Sequence, residues 1–184
     1  MMIPPMQPVL DDGLVLLRPL CAADWDALFA AASDPLIWAL HPAHDRWKES
    51  VFREFFDEGV ASQGALAIVD KANGAVIGSS RYDIRVCDSG EVEIGWTFLA
   101  RSYWGGAWNR AIKRLMIAQA FASEFDRVIF LVGETNLRSR RALEKIGARL
   151  TDRRQRWDMA GSDIDHLIYA IDAKEFASGP LNRP

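Results

Sequence analysis

The chain has 184 residues, 49% of them apolar and 26% charged, with a formal net charge of -3, enough for one well-filled core without a second domain. A mildly acidic balance argues against nucleic-acid binding through a global field, and no apolar run approaches the ~18 residues of a membrane span. Cys21 and Cys87 are too few for a disulfide scaffold, and the opening Met1-Met2-Ile3-Pro4-Pro5-Met6 lacks the basic flank and apolar stretch of a signal peptide, so a cytoplasmic location is the expectation.

In chain order, residues 14–18 form a first strand that Pro19 ends. A helix over residues 24–32 is broken at Pro35, and a second covers residues 48–62, with Val51, Phe52, Phe55 and Phe56 at three- and four-residue spacing. Three β-rich runs follow, residues 65–69, 75–86 and 91–99, separated by Lys71-Ala72-Asn73-Gly74 and Asp88-Ser89-Gly90; turns this tight make neighbouring strands antiparallel. Residues 107–124 carry Trp108, Ala111, Ile112, Leu115 and Met116 on one helical face and Asn109, Arg110, Lys113 and Arg114 mostly on the other. Residues 128–132 are continuously apolar, as in a strand buried on both faces beside a parallel neighbour. Asn136 caps a helix to about Ile146, which Gly147 terminates. Strands over residues 149–158 and 163–172, joined by Met159-Ala160-Gly161-Ser162, close a hairpin, and residues 177–184 are expected to fray. The order predicts an α+β domain over residues 13–174 around a mixed, mostly antiparallel sheet with helices on both faces; residues 1–12 are an extension and 175–184 a tail.

Ser102-Tyr103-Trp104-Gly105-Gly106-Ala107-Trp108-Asn109 follows a strand and opens a helix. First-turn N–H groups lack intrahelical partners, and small residues there let an anion approach the main chain. Between Gly95 and Ser123 the only charged residues are Arg101, Arg110, Lys113 and Arg114, all basic. An anionic, phosphate-bearing ligand is the expectation.

The series Glu91-Val92-Glu93-Ile94-Gly95-Trp96-Thr97-Phe98, Trp104-Gly105-Gly106-Ala107, Asn136-Leu137-Arg138-Ser139 and Lys145-Ile146-Gly147-Ala148, in this order and spacing, resembles the GNAT superfamily of N-acetyltransferases. It is most similar to the branch that acetylates the N-termini of ribosomal proteins, and the resemblance spans residues 14–171. It implies a splayed central strand pair holding the pantetheine arm of acetyl-CoA, with Phe98 and Leu99 beside the arm. It also implies that Trp104, Gly105, Gly106, Ala107, Trp108, Asn109 and Arg110 hold the pyrophosphate through backbone amides, and that Asn136 touches the arm near its thiol end. One of Arg138, Arg140 and Arg141 is a candidate for the 3′-phosphate. Ser139 is a candidate proton donor to the leaving thiolate. Two positions depart from the family pattern. Ala107 replaces the second glycine of the usual Gly-x-Gly, which is tolerable only at negative φ, and Leu143 replaces a tyrosine acid, leaving Ser139 or water.

An amine attacks a thioester only when neutral, the oxyanion needs donors and the thiolate needs a proton. Glu93 is the candidate base, directly or through a water, and a backbone N–H at residues 97–99 the candidate oxyanion donor. An α-amine, with pKa about 7.7–8.0 against about 10.4 for lysine, starts with roughly 3.5 kcal/mol less deprotonation penalty at neutral pH, which favours a protein N-terminus or a small-molecule amine as acceptor. Each candidate also has a purely structural reading: core packing for Trp104 and Trp108, a salt-bridged strand residue for Glu93, a plain N-cap for Asn136 and a first-turn serine for Ser139. His41 and His44, with Trp38 and Trp47, are assigned to an acceptor-lining region rather than to a metal, for which no third ligand is near, and Arg81 and Tyr82 are further acceptor-facing candidates. The competing functions are a non-catalytic acyl-CoA-binding module and a nucleotide-binding protein; neither a P-loop nor a Gly-x-Gly-x-x-Gly after a first strand supports the latter. No nucleic-acid or membrane partner is expected, and a homodimer is admitted but not specified.

Overall fold

The computed structural model of the chain describes residues 6–159 and 162–183. β1 (Leu10–Asp11), β2 (Val15–Pro19), β3 (Ala65–Asp70), β4 (Val76–Asp83), β5 (Glu91–Leu99), β6 (Arg127–Gly133), β7 (Arg149–Met159) and β8 (Ser162–Asp172) form one sheet in the order β1-β2-β3-β4-β5-β6-β8-β7. Every neighbouring pair is antiparallel except β5 with β6. That pair is parallel because α4 (Trp108–Ala122) crosses over between the two strands.

Helices cover both faces. Ile112, Met116 and Ile117 of α4 pack with Leu66, Ile94 and Val128 of the sheet. On the opposite face α1 (Trp25–Ala32), α2 (Pro35–Trp38) and α3 (Glu49–Ala61) bring Trp38, Phe52, Phe55 and Phe56 onto Phe98. Phe52 lies 5.3 Å from Phe55 and 5.8 Å from Phe98, ring to ring, so the spacing of phenylalanines along α3 is the face it buries. α5 (Leu137–Lys145) contributes Leu143 to the α4-side core.

β5 is the irregular strand. Its register with β4 slips by one residue between Ser79↔Phe98 and Arg81↔Gly95, and Trp96 absorbs the extra residue at φ +51°. Side-chain parity changes there: Val92 and Ile94 face α4 before the bulge and Leu99 after it, while Phe98 joins the aromatic face. Pairing of β5 with β6 runs only from Glu91↔Arg127 to Glu93↔Ile129, although the strands continue to Leu99 and Gly133. From Ile94 onward they splay, as the resemblance implied.

Several elements differ from expectation. The strand expected to reach residue 86 stops at Asp83, whose Oδ1 accepts from the Arg85 N–H at 2.8 Å and turns the chain. Pro35 opens α2 rather than only breaking a helix, at a first-turn position where its missing N–H is harmless; Asp34 accepts from the Leu36 N–H there. The described C-terminal residues, through Arg183, are folded against the domain rather than frayed. Residues 173–178 form α6, with a capping box between Asp172 and Glu175, and Leu181 is 3% exposed in the α4-side core. Of the expected hairpin turn, Ala160 and Gly161 lie outside the described residues.

Candidate active site

Alternate residues of a strand turn their backbone groups to opposite sides. The Phe98 carbonyl lies against Gly78 so closely that a Cβ would not fit there, which fixes its groups toward β4. The backbone groups of Thr97 and Leu99 therefore face the side β6 has vacated. The Leu99 carbonyl on that side accepts from Trp104 Nε1 at 2.9 Å, leaving the Thr97 amide and carbonyl and the Leu99 N–H along the open edge. Phe98, expected beside a cofactor arm, sends its side chain into the aromatic core, 5.2 Å from Trp38.

Beyond β5 the chain turns through Arg101–Tyr103 into the glycine pair and α4. Gly105 sits at φ +75°, a conformation that favours glycine. Ala107 sits at φ -73°, so its methyl group is unstrained, and as N-cap residue it makes no side-chain capping bond. The first-turn N–H groups of Trp108, Asn109 and Arg110 have no intrahelical acceptor. Trp108 packs edge-on against Tyr103 at 4.9 Å, and Trp104 is 36% exposed beneath the Arg138 guanidinium, 4.2 Å from its ring centroid.

None of the four basic residues read as an anion cluster points a free side chain at this turn. Arg101 pairs with Asp34 at 2.6 Å and Arg114 with Asp12 at 3.1 Å. Arg110 donates to the Leu181 and Arg183 carbonyls, so its backbone amide is what it offers. Lys113, expected on the solvated face of α4, is 5% exposed. Its Nζ donates to Thr97 Oγ1 at 2.8 Å and lies 5.3 Å from the Phe130 ring, which puts it beneath the wedge between β5 and β6. Burial pushes its pKa down to about 7, against the pull of Glu93. An anion at the helix start would be held by main-chain amides, not by lysine or arginine.

On the aromatic face, Glu93 is 3% exposed and leans over Gly95, where an added Cβ would lie 2.5 Å from its Oε1. Burial, then Asp83, raise its pKa to about 8; Arg81, Arg85 and Lys113 pull the other way. Arg81, 2% exposed, stacks its guanidinium 3.9 Å over the Trp96 ring. Tyr82, named with Arg81 as acceptor-facing, is corrected: the neighbouring position on a strand faces the other way, and its hydroxyl donates to the Met116 carbonyl of α4 at 2.7 Å.

Asn136 is 3% exposed and caps α5, its Oδ1 accepting from the Ser139 N–H at 3.2 Å. Ser139 is half-buried in the first turn of α5, and Leu143 is buried in the core. Arg138 donates to the Leu36 and Ile37 carbonyls, and Arg140 to the Glu134 carbonyl and Tyr169 hydroxyl; Arg141 is exposed. His41 stacks edge-on against buried Trp38, its pKa pushed down to about 3 by burial, while Trp47 is 39% exposed. The Cys87 thiol is raised to about 12 by burial, which makes it a poor nucleophile. Sequence reasoning undervalued Arg81 and missed Lys113.

A splayed parallel pair beside a glycine-containing helix start is the arrangement that the resemblance implied. Residues 15–149 match the family model described as "Acetyltransferase (GNAT) domain", and the chain belongs to that family. Among solved structures it is similar to a GCN5-related N-acetyltransferase from Brucella melitensis (22% identity, TM-score 0.82, covering 93% of this chain and 81% of that one). It is also similar to a GNAT-family acetyltransferase from Bacillus anthracis (18%, 0.74, 91% and 100%) and to Mycobacterium smegmatis RimJ in complex with CoA-disulfide (21%, 0.73, 95% and 90%). No curated protein matches the sequence. Among the described residues no helix is long and apolar enough to cross a membrane.

Proposed function

We propose that the protein transfers the acetyl group of acetyl-CoA to a primary amine by direct attack, without a covalent enzyme intermediate. The observation that carries this is the open edge of β5, where the splay leaves the Thr97 amide and carbonyl and the Leu99 N–H without β6, a few residues before the helix start at Ala107. Unpaired strand groups accept an extended, amide-bearing arm, and unpaired helix amides accept a pyrophosphate. Gly105 at positive φ and Ala107 at negative φ fit the role of a phosphate cradle formed by residues 104–110. RimJ, a structural neighbour, is described with a coenzyme A disulfide, which supports the same ligand here. When bound, acetyl-CoA supplies an activated acyl carbon and a thiolate leaving group.

The chain's own groups then divide the work. Glu93 takes the proton of the attacking amine as the new nitrogen–carbon bond forms and the carbon–sulfur bond breaks. A main-chain N–H of Thr97 or Leu99 stabilises the oxyanion. Ser139, at the start of α5 beside Asn136, returns a proton to the departing sulfur, directly or through water. Leu143 offers no proton, so tyrosine acid catalysis at that turn is absent from this scheme. Arg141 is the candidate for the 3′-phosphate, since Arg138 and Arg140 are committed to carbonyls. Cytoplasmic residence goes with this reading.

The test is a thermal-shift titration with acetyl-CoA, with ATP and NAD as controls. Saturation to about 100 times the dissociation constant stabilises by ~2.7 kcal/mol, roughly 5–10 °C for a domain of this size. Thiol release on adding amines then reports turnover. A shift without thiol release from any amine favours the non-catalytic acyl-CoA-binding module, and no shift at millimolar acetyl-CoA refutes the cofactor site.

A further inference from the structure

Among the described residues, three buried side-chain polar atoms lack any hydrogen-bond partner: Arg81 Nε, Arg81 Nη2 and Glu93 Oε2. They belong to neighbours. Arg81 pairs with Gly95 and Asp83 with Glu93 across β4 and β5, so the side chains of Arg81, Asp83 and Glu93 project from one face, and the Glu93 carboxyl occupies the space over Gly95, directly across from Arg81. Two opposite charges in such positions would ordinarily close into an ion pair. Here each keeps an unused edge.

The unused edge of Arg81 is specific. Nε and Nη2 are the parallel donors that grip both oxygens of one carboxylate. This chain uses the same edge elsewhere: Arg156 Nε and Nη2 hold Asp165 at 2.6 and 3.0 Å, Arg127 Nε and Nη2 hold Asp172 at 2.6 and 3.3 Å, and Arg85 Nε and Nη2 hold Asp83 at 2.9 and 2.8 Å. Among the described residues no carboxylate is hydrogen-bonded to that edge of Arg81. Asp83 is taken by Arg85 at 2.8 Å, and Glu93 leans over Gly95. Trp96 backs the guanidinium and fixes its plane. The surroundings carry both signs, with Glu58 of α3 and Arg46 and Arg85 acting on the site through space.

We propose that the amine acceptor is a small amino acid, its free carboxylate gripped by Arg81 and its amine presented to Glu93. The inference rests on the acetyl-transfer reading above and narrows its acceptor. A neutral peptide N-terminus offers Glu93 the same amine but brings Arg81 only a carbonyl, one acceptor atom without the full charge that the buried fork requires.

The experiment measures thiol release from acetyl-CoA with free α- and ω-amino acids, the amides of the same compounds, and short neutral peptides. Wild-type protein is compared with Arg81→Met and Arg81→Lys. The free acids should exceed their amides by about 10²-fold or more in kcat/KM. That ratio should collapse to within a few-fold in Arg81→Met and recover in part in Arg81→Lys. An unchanged acetyl-CoA thermal shift in the variants certifies that they are folded. Amides or peptides turned over as well as the acids, or an acid-to-amide ratio unmoved by Arg81→Met, would overturn the assignment. Failure of the acetyl-transfer reading itself would register separately, as wild-type protein that acetyl-CoA does not stabilise.

Discussion

Replacing Lys113 with methionine removes a charge from the floor of the wedge while keeping an unbranched side chain of similar length. The ammonium has one hydrogen-bond partner, Thr97, an aromatic face, Phe130, and one opposing charge, Glu93. Burial takes its pKa from 10.5 down to about 7. A depressed lysine contributes stability that is complete above the unfolded value and is lost as pH falls toward the folded one. At 1.36 kcal/mol per unit, the penalty of keeping it buried is about 3 kcal/mol near pH 8.5 and about 5 kcal/mol near pH 6. Glu93 runs in the opposite sense: its raised folded pKa gives stability present below about 4.5 and lost as pH rises toward about 8. That contribution is common to both proteins and cancels to first order at matched pH. Lys113→Met should therefore gain on wild type by ~2 kcal/mol more near pH 6 than near pH 8.5, or about 4–8 °C in Tm for a domain of this length. Differential scanning fluorimetry at matched pH measures it. A Tm difference that is flat with pH would mean that Lys113 is hydrated and that the wedge floor is wet.

Glu93→Gln should change the order of the pH profile. With Glu93 and an α-amine both needing to lose a proton, log kcat/KM should climb about two units per pH unit on the acid side in wild type and about one in the variant; equal slopes would remove Glu93 from the reaction. Gly95→Ala should leave the far-ultraviolet circular dichroism and acetyl-CoA binding intact but lower kcat by about tenfold or more, because the added methyl displaces the Glu93 carboxyl; undiminished kcat would show that the present Glu93 position is irrelevant. Gly105→Ala, at φ +75° with open space around it, should lose about 1–2 kcal/mol of stability from backbone strain alone, read as a Tm fall of roughly 2–8 °C. Ala107→Gly should leave acetyl-CoA affinity within about twofold, since a residue at φ -73° has no strain to relieve; a large gain in affinity would mean that the methyl group obstructs the cradle.

Much of the fold could be read from local chemistry. The phenylalanine spacing of α3, the Asn136 cap and the turn between β3 and β4 are decided within a few residues, and each stands where its sequence put it. Lys113 was misread because helical periodicity places it with Asn109, Arg110 and Arg114, and only the divergence of two strands distant in sequence makes room for it inside. Arg81 and Tyr82 are both named as acceptor-facing from the sequence, yet adjacent strand positions face opposite ways, and only the packing of β4 against α4 shows that Tyr82 is the one turned to the core. The docked C terminus was invisible for a similar reason: its anchor is a guanidinium from α4 meeting carbonyls more than seventy positions away.

The left-handed residue at Trp96 has a consequence for how such a cleft can arise. One inserted residue bends β5 and exchanges the faces its side chains serve, so a single strand sends Glu93 to the aromatic side and Thr97 to the α4 side, while its outer edge loses β6. The opening is thus a phase shift within a continuous strand, with no strand removed and no long loop grafted on. The change of face and the loss of the β6 partner fall within the same few residues, so the acidic Glu93 and the open edge at Thr97 lie on one continuous strand, on either side of the bulge.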